Sequence, residues 1–228
     1  MNLVLSCEHG GNRLPARYRS VFWSAQAALE SHRGWDAGSL QLARQLARRL
    51  SAPLVSCATS RLLIDLNRSL NHPRLFSEWS RCLPLAERER LIERWWYPHR
   101  DELAAWIGTL EDAPVLHLSV HSFTPVLDGV ERDVDVGLLY DPKRPRERDF
   151  VADFVDALQE RAPDLRVRRN QPYRGTSDGL TTAFRKRFRP TRYLGVELEV
   201  SQRFPLGPAA EWRRLRDDLC KSLSAALD

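Results

Sequence analysis

The chain has 228 residues, enough for one sizeable core, and its 43% hydrophobic and 29% charged residues are ordinary for a water-soluble globular protein. Its net charge of +5 comes from 35 Lys and Arg against 30 Asp and Glu; the arginines are spread along the chain and interleaved with acids, as in LAERERLIERWW, which argues against nucleic-acid binding. No apolar run reaches the roughly 20 residues that span a bilayer, and the N-terminus lacks the pattern of a secretory signal, so a cytoplasmic enzyme or binding protein without a membrane anchor is expected.

The first predicted element is a buried strand, NLVLSC (2–7), which runs into Glu8, His9, Gly10 and Gly11. Three side chains able to bind metal or move protons, Cys7, Glu8 and His9, at the exit of a core strand mark a site. WDAGSLQLARQLARRL (35–50) carries Ala37, Leu40, Ala43, Leu46, Ala47 and Leu50 at helical spacing, with Asp36 placed as a possible N-cap. APLVSC (52–57) reads as the next strand, followed by SRLLIDLNRS (60–69) with Arg61, Asp65, Asn67 and Arg68. A long helical region covers 83–110, with a break expected near Pro98.

APVLHLSVHSF (113–123) is a strand whose alternation puts His117, Ser119 and His121 on one face. His117 lies deep and reads as structural; His121 stands at the strand end, which favours function. VDVGLLYD (134–141) is a further strand, and residues 146–163 form an amphipathic helix. NQPYRGTSDG (170–179) is polar and glycine-rich, either a substrate loop with Tyr173 and Arg174 or a plain surface loop. The basic run FRKRFRPTR (184–192) reads as a solvated helix end. RYLGVELEVSQ (192–202) is a strand with Glu197, Glu199 and Ser201 on one face, two carboxylates that are costly to bury unless paired or near a cation. A helix over 209–228 closes the chain.

Strands alternating with helices predict a three-layer α/β/α sandwich around a largely parallel or mixed sheet, organised as a single domain over 1–228. Ligands in such sheets gather at the C-terminal strand ends, where EHGG, VHSF and ELEVSQ all fall. Cys7, Cys57, Cys82 and Cys220 form no CxxC pair, so neither a zinc ribbon nor a disulfide framework is indicated. Histidines, acids and arginines at strand ends suit metal-assisted hydrolysis, in which three N/O ligands leave one position for water.

SCEHGGN, GWDAG, SRLLIDLNRS, HSFTP, DVDVGLLYD and GVELEVSQ, in this order from about residue 3 to about residue 205, resemble the N-formylglutamate amidohydrolase family. That family is similar in fold to zinc carboxypeptidases and to the aspartoacylase and succinylglutamate desuccinylase group. The resemblance implies one Zn2+ per chain, with His9 and His121 as ligands, and it implies Glu199 as general base. It implies Arg61 as the residue that steadies the oxyanion, and Asn67 and Arg68 as the grip on the carboxylate of a small anionic N-acyl amino acid. The carboxypeptidase relatives place a glutamate ligand where this chain has Asn12; the third ligand is then Asp36 or Glu8, and Asp36 is the one expected. Family members of histidine degradation carry PHAG and QLEM where this chain has EHGG and ELEV, so the chain resembles a divergent branch. A carboxypeptidase-like peptidase acting on short peptides or cell-wall fragments, and a basic binding protein without catalysis, are the alternative readings.

Overall fold

A computed structural model describes residues 1–110 and 113–227. The strands are β1 (Asn2–Cys7), β2 (Leu54–Ser56), β3 (Val115–Phe123), β4 (Val126–Leu127), β5 (Val130–Glu131), β6 (Val136–Leu139), β7 (Val167–Arg169) and β8 (Tyr193–Ser201). Six of them form one sheet in the order β2-β1-β3-β8-β6-β7. The pairs β1–β2, β1–β3, β3–β8 and β6–β7 are parallel, and β6–β8 is antiparallel. The short β4–β5 hairpin stands apart, turning at Asp128 and Gly129, both in the left-handed region. A mixed, mainly parallel sheet covered by helices is the architecture that the alternating pattern predicts.

The helices are α1 (Gln26–Glu30), α2 (Ser39–Arg49), α3 (Leu85–Leu91), α4 (Tyr97–Thr109), α5 (Pro145–Arg161), α6 (Leu180–Arg187) and α7 (Ala209–Leu227). The expected final residue of the closing helix, 228, lies outside the described residues. On one sheet face Leu42 and Leu46 of α2, Phe150 and Phe154 of α5, and Leu215 and Leu219 of α7 pack on Leu5, Leu118, Val196 and Leu198. On the other, Leu103 and Ile107 of α4 and Leu180 and Phe184 of α6 cover Val4, Val115 and Tyr193. These are the three layers. A smaller core gathers Tyr18, Phe22, Leu29, Leu63, Ile64 and Leu91, and so braces the chain segment that carries residues 60–69. No described helix is long and apolar enough to cross a membrane.

Three sequence expectations change. The helix over 83–110 does not break at Pro98: α3 passes through a π turn, Ile92–Trp96, directly into α4. The wide turn ends two residues before the proline, whose missing N–H would leave a carbonyl one turn back without a donor. Asp36 does not cap α2. Gly38, at φ 80°, takes the N-cap position, and Asp36 contributes only its carbonyl, which accepts from the Ser39 hydroxyl at 2.7 Å and the Ser39 amide at 3.2 Å. The basic run at 184–192 is not uniformly solvated, because Arg185 is buried against Glu147, its Nε donating at 3.0 Å. Glu147 also accepts from Arg144 and from the Gly195 amide, which makes burying this pair tolerable. All four cysteines are free thiols.

Candidate metal centre

Strand alternation decides which side chains meet. Glu197, Glu199 and Ser201 of β8 and His117, Ser119, His121 and Phe123 of β3 point to the face covered by α4 and α6, opposite the apolar residues between them. At the C-terminal end of that face His9 arrives from the exit of β1 and Asp36 from the turn before α2. One ligand atom each of His9, Asp36 and His121 lies within 4.8 Å of the others, and all three residues are buried. Close packing builds the turn that brings His9 there. A Cβ on Gly10 would stand 3.0 Å from the Cys57 carbonyl oxygen, and one on Gly11 2.7 Å from that of Ala58.

The bonding around the rings tests whether a cation belongs here. Asp36 Oδ2 stands 2.9 Å from His121 Nδ1 and 3.3 Å from His9 Nδ1. Each outer nitrogen also meets a carboxylate: His9 Nε2 lies 2.7 Å from Asp65 Oδ1, and His121 Nε2 lies 3.0 Å from Glu8 Oε2. A carboxylate only accepts hydrogen bonds, so each Nε2 carries a proton and donates outward. The two Nδ1 lone pairs then face a third carboxylate, an arrangement satisfied by a cation among them or by two buried imidazoliums. Histidines oriented by outer carboxylates around a converging N, N, O set are the usual environment of a protein-bound divalent metal, and the donors fit one.

The electrostatics follow the same geometry. Burial works against charge on His121, but Asp36 and Glu8 override it and hold its pKa well above the ordinary value. Burial would raise Asp36, Asp65 and Glu8, yet each is held low: Asp36 by His9 and His121, Asp65 by Arg61 and His9, and Glu8 by His121 and His99. Glu199 behaves differently. Burial pushes its carboxyl up to about 8, and its Oε2 is buried with no hydrogen-bond partner.

Arg61 donates to Asp65 Oδ2 at 2.7 Å and reaches Asp36 Oδ1 at 3.5 Å, so it stands at the centre as expected. Glu8 lies behind His121 rather than among the converging atoms, tied to Ser119 at 2.6 Å and His99 at 3.3 Å. Asn67 Oδ1 accepts from the Leu180 amide and so anchors the start of α6. Arg68 Nη1 donates to the Asp178 carbonyl at 2.6 Å, while its buried Nε makes no hydrogen bond and lies 3.9 Å from Asp65 Oδ2. Tyr173 is close enough to Arg61 to act on its charge. Arg174 is exposed, and among the described residues its side chain engages no other group. His117 is structural, bonded to Ser6 Oγ and the Tyr193 hydroxyl, both at 2.7 Å.

Sequence reasoning did not assign Asp65, His99 or Ser119 to the site. Asp65 is visible beside Arg61; His99, on a helix 91 residues from Glu8, carries no local signal.

Comparison with known proteins bears on the whole chain. The family model of N-formylglutamate amidohydrolase matches residues 1–204. The crystal structure of a gene product from Agrobacterium tumefaciens is similar at TM-score 0.79 and 28% identity, covering 100% of this chain and 92% of that one. N-formylglutamate amidohydrolase from Ralstonia eutropha is similar in fold at TM-score 0.67 and 18% identity, covering 100% and 93%. No curated protein matches significantly.

Proposed function

The chain belongs to the N-formylglutamate amidohydrolase family and is a hydrolase of amide carbon–nitrogen bonds; on that premise we propose that it removes a small acyl group from an acidic, N-formylglutamate-like N-acyl amino acid, with one zinc ion held by His9, Asp36 and His121. One observation carries this reading: three metal donors within 4.8 Å share a sheet face with a buried, unpartnered carboxyl oxygen of Glu199. A zinc ion bound there would supply Lewis acidity toward the amide carbonyl and lower the pKa of water.

The chain's own residues account for the remaining needs of the reaction. Glu199, whose buried Oε2 makes no hydrogen bond, accepts a proton from the attacking water and returns it to the leaving nitrogen. Arg61, fixed by Asp65 and Asp36, steadies the negative charge that develops on the amide oxygen. Arg68, whose buried Nε makes no hydrogen bond, and the side-chain amide nitrogen of Asn67 hold the substrate carboxylate, and Tyr173 stands near Arg61. Four free thiols suit a reducing, cytoplasmic setting.

The test is metal analysis of protein purified without chelator, followed by a screen of N-acyl amino acids with zinc added. One metal per chain and preferential hydrolysis of acidic N-acyl amino acids are expected. Preferential cleavage of peptides would replace this reading with the peptidase alternative.

A further inference from the structure

At the rim of the site stands a guanidinium that pairs with no acid among the described residues. Arg132 directly follows β5, and its Nη1 donates to the Tyr173 hydroxyl at 3.0 Å and the Thr124 carbonyl at 3.3 Å. The guanidinium carbon lies 5.0 Å from the centre of the Tyr173 ring and 5.7 Å from that of Phe123. Phe123 ends β3 on the same face as His121, two residues further on, so Arg132 lies just beyond the metal centre along the strand. Contact with two rings fixes the long side chain before any ligand arrives, which removes much of the ordering cost of binding.

Other arginines of this fold rest on carboxylates, as Arg166 and Arg203 do on Asp135 and Arg168 does on Asp133. Among the described residues Arg132 has no such partner, and its Nε and Nη2, the edge that matches a carboxylate, are unengaged. The surroundings are positive as well: burial, then Arg132, Arg33 and Arg61, lower the pKa of the neighbouring His32.

We propose that Arg132 is a specificity-determining residue whose Nε–Nη2 edge binds a second carboxylate of the substrate, on an acidic amino-acid side chain, while Arg68 holds the first. This rests on the amidohydrolase reading above. A dicarboxylic substrate would then be selected by two separately oriented guanidinium groups, with the scissile amide between them and Glu199.

The test compares N-formyl-L-glutamate with N-formyl-L-glutamine, nearly equal in size and different by one charge, on zinc-loaded wild type, Arg132→Gln and Arg132→Lys. Calorimetric titration with L-glutamate and L-glutamine runs in parallel. Wild type should favour the dicarboxylate by roughly 10- to 100-fold, the range of a charged hydrogen-bonded contact. Arg132→Gln should lose most of that preference and Arg132→Lys part of it, at wild-type zinc content and circular dichroism. A merely structural role would weaken both ligands equally and would overturn the proposal, as would wild type without preference in either assay. If wild type hydrolyses neither compound yet binds L-glutamate over L-glutamine through Arg132, the assignment of Arg132 stands and the substrate reading falls. Should Arg132→Gln fail to fold, Arg132→Lys decides: an undiminished preference overturns the proposal.

Discussion

His121 and Glu199 are register partners on adjacent parallel strands, β3 and β8. The proposed metal donor and the proposed proton-transfer group are therefore held side by side by sheet hydrogen bonds rather than by a loop. Glu197, two residues earlier on the same face, pairs instead with Ser119 and accepts from the Thr181 hydroxyl at 2.6 Å. Glu199→Gln should lose about 10²–10⁴-fold in kcat at matched zinc content. Glu197→Gln should cost far less activity and show its defect in thermal stability. An inactive Glu197→Gln beside an active Glu199→Gln would shift the reading of this strand by two residues.

The third donor is decided by metal affinity. Asp36 Oδ2 faces both Nδ1 atoms, whereas Glu8 meets the outer nitrogen of His121. Asp36→Ala, like His9→Ala and His121→Ala, should abolish uptake of one equivalent of zinc. Glu8→Gln should weaken it by about 10- to 100-fold, the usual effect of losing an outer carboxylate. Zinc titration with a competing chelator measures both, and equal losses would place Glu8 among the ligands.

Arg68 offers a different readout. Its Nη1 is committed to the Asp178 carbonyl and its buried Nε is not. Lysine cannot present two donors in one plane, so Arg68→Lys should raise KM strongly with a smaller change in kcat. Unchanged KM for a carboxylate substrate would remove Arg68 from its binding.

His117 predicts an acid sensitivity that is unrelated to catalysis. Burial pushes its pKa down to about 3, whereas an unfolded histidine titrates near 6.5. Between these values the unfolded chain binds a proton that the native state does not, so stability falls as pH falls, by at most about 1.4 kcal/mol per unit. The depressed carboxylates Glu8, Asp36 and Asp65 add their losses mainly below about pH 4.5. In chelator-treated protein, the stability advantage of wild type over His117→Gln should shrink from pH 6.5 to 4.5. A constant difference by urea denaturation would contradict the prediction.

The parts of this fold that announce themselves are those with a simple period. β1, β3 and β8 are continuous apolar alternations, and their C-terminal ends already carried His9, His121 and Glu199 as candidates. What stayed hidden depends on pairing between distant segments. Asp36 had two roles open to it because a local pattern cannot distinguish a cap from a side chain aimed at histidines 27 and 85 residues away. Arg185 looked solvated because its partner Glu147 lies 38 residues earlier on another helix. His99 and Asp65 act through histidines and glutamate that only the sheet brings near them.

The wide turn at Ile92–Trp96 has a consequence for everything C-terminal to it. A π turn holds one residue more than an α turn, so the helix beyond it is rotated by about 100° relative to the part before. Trp96, which donates to the Arg68 carbonyl at 2.8 Å, closes that turn, and Arg100, stacked on Trp96, donates to the same carbonyl and to that of Leu66. His99 reaches Glu8 from the same rotated stretch. The helix thus works as a two-bearing shaft: Leu91 and the Trp96 ring pack on the small core, while the Trp96 Nε1, His99 and Arg100 bond to the back of the site. Their aim is a matter of counting rather than chemistry. Deleting one residue from 92–95 would keep Trp96, His99 and Arg100 in the chain and swing all three away together.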